Sequence, residues 1–390
     1  MSLGPLPRIA SLSALRTIAG AFVVVAGLSG CSGGFSGMNS ANFLSVPAVN
    51  SVTMFVASTR RDDRQVGEAI TSEGVHHTLV MMSVPPDHKP GVIETPSFGK
   101  PNRDKHIVQT GGRVLGSERF KQELATHLSG RIGTNRDVLL YVHGFNTSLD
   151  EARGRLTQIV YDARFGGVPV LFTWPSKSTL FGYVSDKDQA TASRDALQKL
   201  MSDLSQVPGV GRVHVLAHSM GSWLAMEALR ENAIAGRPDL NGKLGDVMLA
   251  APDIDLAVFR QQLARLQNTR VSIFVSRADR ALSLSSRIAG DRPRVGAMDP
   301  NNPRDAAQLQ ELGVRVYDLS SFSAGIIGHA AYADTPDVIR SIGAQLAEPR
   351  KDEAGSVAVI DARGSADTAP QTQTPAKPEG STGAPLQPMQ

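Results

Sequence analysis

Leu216-Ala217-His218-Ser219-Met220-Gly221 follows an apolar β-branched run and opens a helical pattern. A serine on so tight a strand-to-helix turn is a nucleophile in waiting, and the positions two before and two after it must be small. Ala217 and Gly221 meet that need, although glycine is the more usual residue at the first of them. Ser219 would then project at a helix start, where backbone donors and the positive end of the dipole favour a developing anion. Upstream, Val142-His143-Gly144-Phe145-Asn146 closes another apolar run. Acyl transfer at such a turn draws one oxyanion donor from that loop and one from the residue after the serine, here the amides of Phe145 and Met220. One such donor is worth about 3 kcal/mol in a transition state. Gly144 lets the backbone approach substrate with no Cβ in the way.

A base and an acid are also required, in the chain order serine, acid, histidine. Of nine histidines only His329 follows Ser219, on the stretch Ser323-Ala-Gly-Ile-Ile-Gly-His-Ala-Ala-Tyr332. His143 precedes the serine and ends a strand, so its expected work is to shape its loop by hydrogen bonding, at the edge of the pocket. Two aspartates compete for the acid. Asp279 follows the penultimate predicted strand and is the favoured one, with a helix cap as its structural alternative. Asp253 follows the strand before and is the other candidate. Either would fix the imidazole tautomer and stabilise the imidazolium.

The elements that must position these groups read as an alternation of short strands and longer helices. Strands are predicted at 52–57, 78–84, 138–143, 168–173, 212–217, 246–251, 271–275 and 314–319, several of them nearly continuous apolar runs. Such runs fit strands covered on both faces, as in a parallel sheet. Helices are predicted at 186–204, with Leu197, Leu200, Met201 and Leu204 in one stripe, and at 222–231 and 336–346. The class is therefore α/β, a mostly parallel doubly wound sheet flanked by helices, with an antiparallel start because no helix separates the first two strands. Trp174-Pro175-Ser176 follows a strand on the side where such sheets bind ligands. Trp174 either lines a pocket or packs a loop as a buried aromatic.

His143-Gly-Phe-Asn146, Phe172-Thr-Trp-Pro-Ser176, His218-Ser-Met-Gly221 and Ala250-Ala-Pro-Asp-Ile-Asp255 together resemble a group of bacterial α/β-hydrolases long carried as a domain of unknown function and described only as esterase- or lipase-like. Val56-Ala-Ser-Thr-Arg-Arg61 and Val84-Pro-Pro-Asp-His88 are similar to its N-terminal strand pair. The resemblance spans roughly residues 52–346. It implies the α/β-hydrolase fold and a serine mechanism, and it names no substrate.

The rest of the chain bounds the partners. A net charge of +3 over 390 residues, with 20% charged residues, gives no clustered basic face that would call for nucleic acid. No metal-ligand cluster, P-loop or dinucleotide fingerprint is present, and no cofactor is expected. Arg8 and Arg16 precede the apolar stretch 18–28, about half the length of a bilayer-spanning helix. The chain's sole cysteine follows in Leu28-Ser29-Gly30-Cys31, which resembles the lipobox of bacterial lipoproteins. That resemblance implies a signal peptide over 1–30 and acylation of Cys31. With Ser32 next, it also implies anchorage in the outer membrane, facing the periplasm. Several acyl chains anchor durably where one does not. Residues 31–46 read as a tether, 47–347 as one hydrolase domain, and 348–390 as a disordered Pro/Thr/Ala-rich tail. The expected function is hydrolysis of a small ester or lipid substrate through an acyl-enzyme. An acyltransferase with the same residues and a non-catalytic envelope scaffold are the alternatives. Protein partners cannot be read from this composition.

Overall fold

The computed structural model describes residues 50–60, 74–176, 182–266, 269–288, 290–322, 329–348 and 359–361. Cys31, the signal-like segment and the tether lie outside the described residues.

Ten strands form one sheet: β1 (Ser51–Ser58), β2 (His76–Ser83), β3 (Val108–Leu115), β4 (Val138–Val142), β5 (Val168–Thr173), β6 (Val213–His218), β7 (Leu244–Ala250), β8 (Val271–Val275), β9 (Arg315–Asp318) and β10 (Val359–Asp361). Their order is β10-β9-β8-β7-β6-β4-β5-β1-β2-β3. From β1 to β10 every neighbouring pair is parallel, whereas β2 runs antiparallel to both β1 and β3. The antiparallel start and the eight expected strands are therefore present. The central strands β4, β5, β7 and β8 are buried along their whole length, as their unbroken apolar runs require.

Two apolar layers sandwich the sheet. One face carries α1 (Ser117–Leu128), α4 (Arg194–Ser205), α5 (Met220–Ile234), α6 (Leu256–Leu263) and α8 (Pro303–Leu312). The other carries α2 (Leu149–Asp162), α9 (Ala331–Asp334) and α10 (Pro336–Ala347). α2 starts at Ser148 with a full capping box closed by Glu151. α3 (Tyr183–Ala192) and α7 (Arg280–Ile288) complete the set.

Three expectations need correction. The helix predicted over 186–204 is two, α3 and α4, meeting at Ser193, whose hydroxyl turns back to the Gln189 carbonyl at 2.8 Å. Such back-bonding competes with the helical ladder and bends it. β3 was not anticipated, because Gly111-Gly112 interrupts its side-chain alternation; as the edge strand it tolerates them. β10 lies within the stretch assigned to a disordered tail. It pairs in parallel with β9, and the remaining tail residues beyond 348 lie outside the described set.

The strand order places the site. From β4 the chain steps to β5 on one side and to β6 on the other, so the carboxyl ends of β4 and β6 flank the point where the winding reverses. Ligands of open α/β sheets bind at such a point. The register pairs Val142 with Ala217, which sets the loop after β4 beside the turn after β6.

Candidate active site

Ser219 joins β6 to α5 with φ 55° and ψ −124°, a conformation that L-residues rarely adopt. The surroundings hold it there. Its amide donates to the Ala250 carbonyl at 2.9 Å, and its carbonyl accepts from the amides of Ser222 and Asp253. Gly221 is obligatory, since a Cβ there would lie 2.2 Å from the His143 carbonyl oxygen and 2.7 Å from that of Val142. Both are backbone atoms of a central strand and its end, which cannot give way. Gly221→Ala is expected to lose about 2 kcal/mol or more of stability, read as a lower urea midpoint at unchanged m. An unshifted midpoint would mean that the elbow does not press on β4.

Gly144 meets the elbow from the other side. A Cβ on it would come within 2.9 Å of both His218 Nδ1 and Ser219 Cβ. The next amide, that of Phe145, and the Met220 amide at the first position of α5 donate to no backbone acceptor among the described residues. Both expected oxyanion donors thus stay free beside the serine.

Asp279 and His329 come together. His329 Nδ1 lies 2.6 Å from Asp279 Oδ2, with the carboxylate buried and the imidazole partly exposed. The other carboxylate oxygen accepts the Leu282 amide at 3.0 Å, so Asp279 also caps α7. One carboxylate thus meets the imidazole with one oxygen and caps the helix with the other. His329 is tied to the elbow through the residue before the serine. His218 Nε2 donates to the His329 carbonyl at 3.0 Å, and the two rings sit 4.6 Å apart. Since a carbonyl only accepts, the His218 proton is on Nε2. Burial, with the His329 ring beside it, holds His218 well below the ordinary imidazole range, so it stays neutral. On its other face His218 packs against Tyr332, whose hydroxyl meets that of Tyr141 at 2.9 Å. Asp334, at the end of the same short helix, pairs with Arg155 of α2 at 2.8 Å. The backbone that carries His329 is thus fixed from three elements. Gly325 and Gly328, expected on its loop, lie outside the described residues.

Asp253, the alternative acid, sits elsewhere. Its carboxylate accepts from Tyr183 Oη at 2.8 Å and Ser285 Oγ at 2.6 Å, and it pairs with buried Arg294 at 3.2 Å. The backbone of Arg294 bridges to that of Asp255, which docks the segment after α7 on the loop after β7. Tyr183 also packs edge-on against Phe145, 5.6 Å between ring centres.

His143 and Trp174 do not line a pocket; of the two readings of Trp174 the buried aromatic is the one present, and the pocket edge given to His143 gives way to its loop-shaping role. Both are fully buried and stacked on each other at 5.1 Å. His143 Nδ1 donates to the Gly144 carbonyl, and its Nε2 accepts the Trp174 amide, while the indole N–H donates to the His143 carbonyl. Burial, aided by the Arg60 guanidinium, pushes His143 down to about 3. It is a neutral pin for the loop after β4, as its position at a strand end suggested. Arg60 is a residue that sequence reasoning passed over. It donates from Nη2 to the Thr147 carbonyl at 2.7 Å and from Nε to Thr173 Oγ1 at 2.8 Å, clamping the same loop to β5. Its only signal was its place in Val56-Ala-Ser-Thr-Arg-Arg61. Tyr183, Ser285 and Arg294 had none, being scattered along the chain.

Among the described residues no group of His, Cys, Asp or Glu side chains is arranged to hold a metal ion. No helix of those residues is long and apolar enough to cross a membrane.

The chain is similar in structure to an esterase of Pyrobaculum calidifontis, with 16% identity and a TM-score of 0.33 over 56% of this chain and 78% of that one. A Pyrococcus furiosus esterase gives 11% and 0.32, over 54% and 81%. Brefeldin A esterase, a bacterial homologue of human hormone-sensitive lipase, gives 13% and 0.39, over 79% and 80%. Scores this low carry no argument about activity. No curated protein matches the chain significantly. Residues 117–350, more than half of the chain and all of the sheet from β4 to β9 with its connecting helices, match the family described as alpha/beta hydrolase of unknown function (DUF900). The chain belongs to that family of α/β-hydrolases.

Proposed function

We propose that this protein is a serine hydrolase of carboxylic esters. Ser219 is the nucleophile, His329 the base, Asp279 the acid that orients it, and the Phe145 and Met220 amides the oxyanion donors. His329 removes the Ser219 proton as the hydroxyl oxygen attacks the ester carbonyl, and the resulting oxyanion meets the two amides. The imidazolium then protonates the departing alkoxide, which leaves an acyl-serine and an alcohol. Water, deprotonated by the same ring, attacks the acyl-serine and frees the acid. The observation that carries this reading is the 2.6 Å contact of Asp279 with His329 Nδ1, on a residue whose carbonyl is held by the neighbour of the strained serine.

The protein is expected to take a fluorophosphonate probe covalently at Ser219, seen as a labelled band that Ser219→Ala abolishes. Labelling that survives Ser219→Ala would refute the nucleophile. Rates on p-nitrophenyl esters of increasing chain length would then size the acyl site. We place the protein at a bacterial envelope membrane, exported and acylated on Cys31, where lipid or other envelope esters are at hand. Mass spectrometry of the mature N-terminus tests this, and an unmodified Cys31 would end it.

A further inference from the structure

α7 buries Leu282 and Ser285 on one side and turns Leu284 and Ile288 to solvent on the other, 50% and 47% exposed. Its buried Ser285 is held by Tyr183 at the start of α3, Oη to Oγ at 2.8 Å, so the exposed side is the outer one. An apolar stripe turned outward asks for a partner.

The charges on α7 say which partner. Arg280, Leu284, Arg287 and Ile288 are all exposed and recur at four-, three- and one-residue steps, which is one helical face. The helix, Arg280-Ala-Leu-Ser-Leu-Ser-Ser-Arg-Ile288, carries two positive charges and no acid. Nearby Arg277 and Arg292 pair with Asp299 and Asp255, but Arg280 and Arg287 have no ion pair among the described residues. Interleaved unpaired arginine and branched aliphatic side chains are what a helix lying in a lipid interface presents. The aliphatic groups enter the acyl boundary while the guanidinium groups stay at phosphate level.

We propose that the exposed stripe of α7 seats on an anionic lipid bilayer. The docking does not depend on the hydrolytic reading. The two are linked in space, because Asp279 both caps α7 and bonds His329, so the helix on the membrane is the helix of the proposed acid.

Cys31 is the only cysteine, which makes a local probe simple. In the full chain bearing Cys31→Ser, an environment-sensitive fluorophore is attached at Leu284→Cys or, as control, at Ile234→Cys on α5. With phosphatidylglycerol vesicles, the label at 284 is expected to blue-shift and brighten, and the label at 234 to stay unchanged. Phosphatidylcholine vesicles should give a much weaker response. Arg287→Glu should raise the lipid concentration at half-response about tenfold or more. Equal responses at 284 and 234, or none at 284, would overturn the proposal. So would a shift that grows with protein concentration in the absence of vesicles, which would make the stripe a contact between copies. Hydrolysis of p-nitrophenyl acetate by Arg287→Glu should match the parent, so failure of docking and failure of the esterase reading are read separately.

Discussion

Asp279→Asn is expected to lower kcat on a soluble ester by about four orders of magnitude while leaving stability nearly unchanged. The two oxygens of this carboxylate have separate duties, and asparagine can perform only one. Its amide oxygen still accepts the Leu282 amide, and asparagine caps helices as well as aspartate does. Its amide nitrogen, however, would face His329 Nδ1 donor to donor, and the imidazole would lose the tautomer that leaves Nε2 free to take a proton. Asp253→Asn should do the opposite. Removing that charge strands buried Arg294 without its counterion, which costs about 3 kcal/mol or more, while the folded protein keeps most of its turnover. Paired measurements of kcat and urea midpoint on the two variants separate the roles. An active Asp279→Asn beside a dead, well-folded Asp253→Asn would reverse the assignment.

The two aspartates differ plainly in their surroundings and little in their sequence setting. Ser219 and the glycine two positions on are a local signal, because the strain and the close approach to β4 are set by adjacent residues. His329 was legible by elimination, being the last of nine and the only one beyond the serine. The acid was only favoured at Asp279, because Asp253 and Asp279 both follow strands in the right half of the sheet. What distinguishes them is the company each keeps: Tyr183, Ser285 and Arg294 around one, His329 around the other. Those partners lie far off in sequence, and no spacing rule joins them. The choice between pocket and buried packing for Trp174, and the pocket edge given to His143, were open for a related reason. Residues at the carboxyl ends of parallel strands can face the crevice or fold back under it. The hydrogen bond from the Trp174 indole to the His143 carbonyl, which turns both rings inward, has no sequence signature. The central strands were plain because burial on both faces writes itself as an unbroken apolar run; β3 at the edge, with two glycines, carries no such mark.

Acidification from pH 6.5 to 4.5 is expected to remove roughly 5 kcal/mol of stability through two histidines remote from each other. Burial pushes His77 down to about 4 and His143 to about 3, each from an ordinary value of 6.5. In the unfolded chain both bind a proton near pH 6.5, whereas in the fold they refuse it until much lower pH. Their contribution is therefore complete above pH 6.5 and drains away as pH falls toward the folded values, at about 1.4 kcal/mol per unit for each. His88 and His214 act on the other side. Burial opposes their charge, but hydrogen bonds from His88 to Asp162 and Glu94, and from His214 to Asp137 and Asp246, outweigh it and raise both. Their contribution is full below 6.5 and is lost as pH climbs through the raised values. Stability should accordingly peak near pH 6.5 and fall on either side of it. His77 offers the clean test, because it packs against Phe120 at 4.6 Å and its buried Nδ1 has no hydrogen-bond partner. His77→Phe keeps the ring contact and deletes the titration. The substitution should stabilise the protein by roughly 2 kcal/mol more at pH 5 than at pH 7, measured by urea unfolding at both. An equal effect at the two pH values would mean that His77 is already protonated in the fold and that the acid limb arises elsewhere.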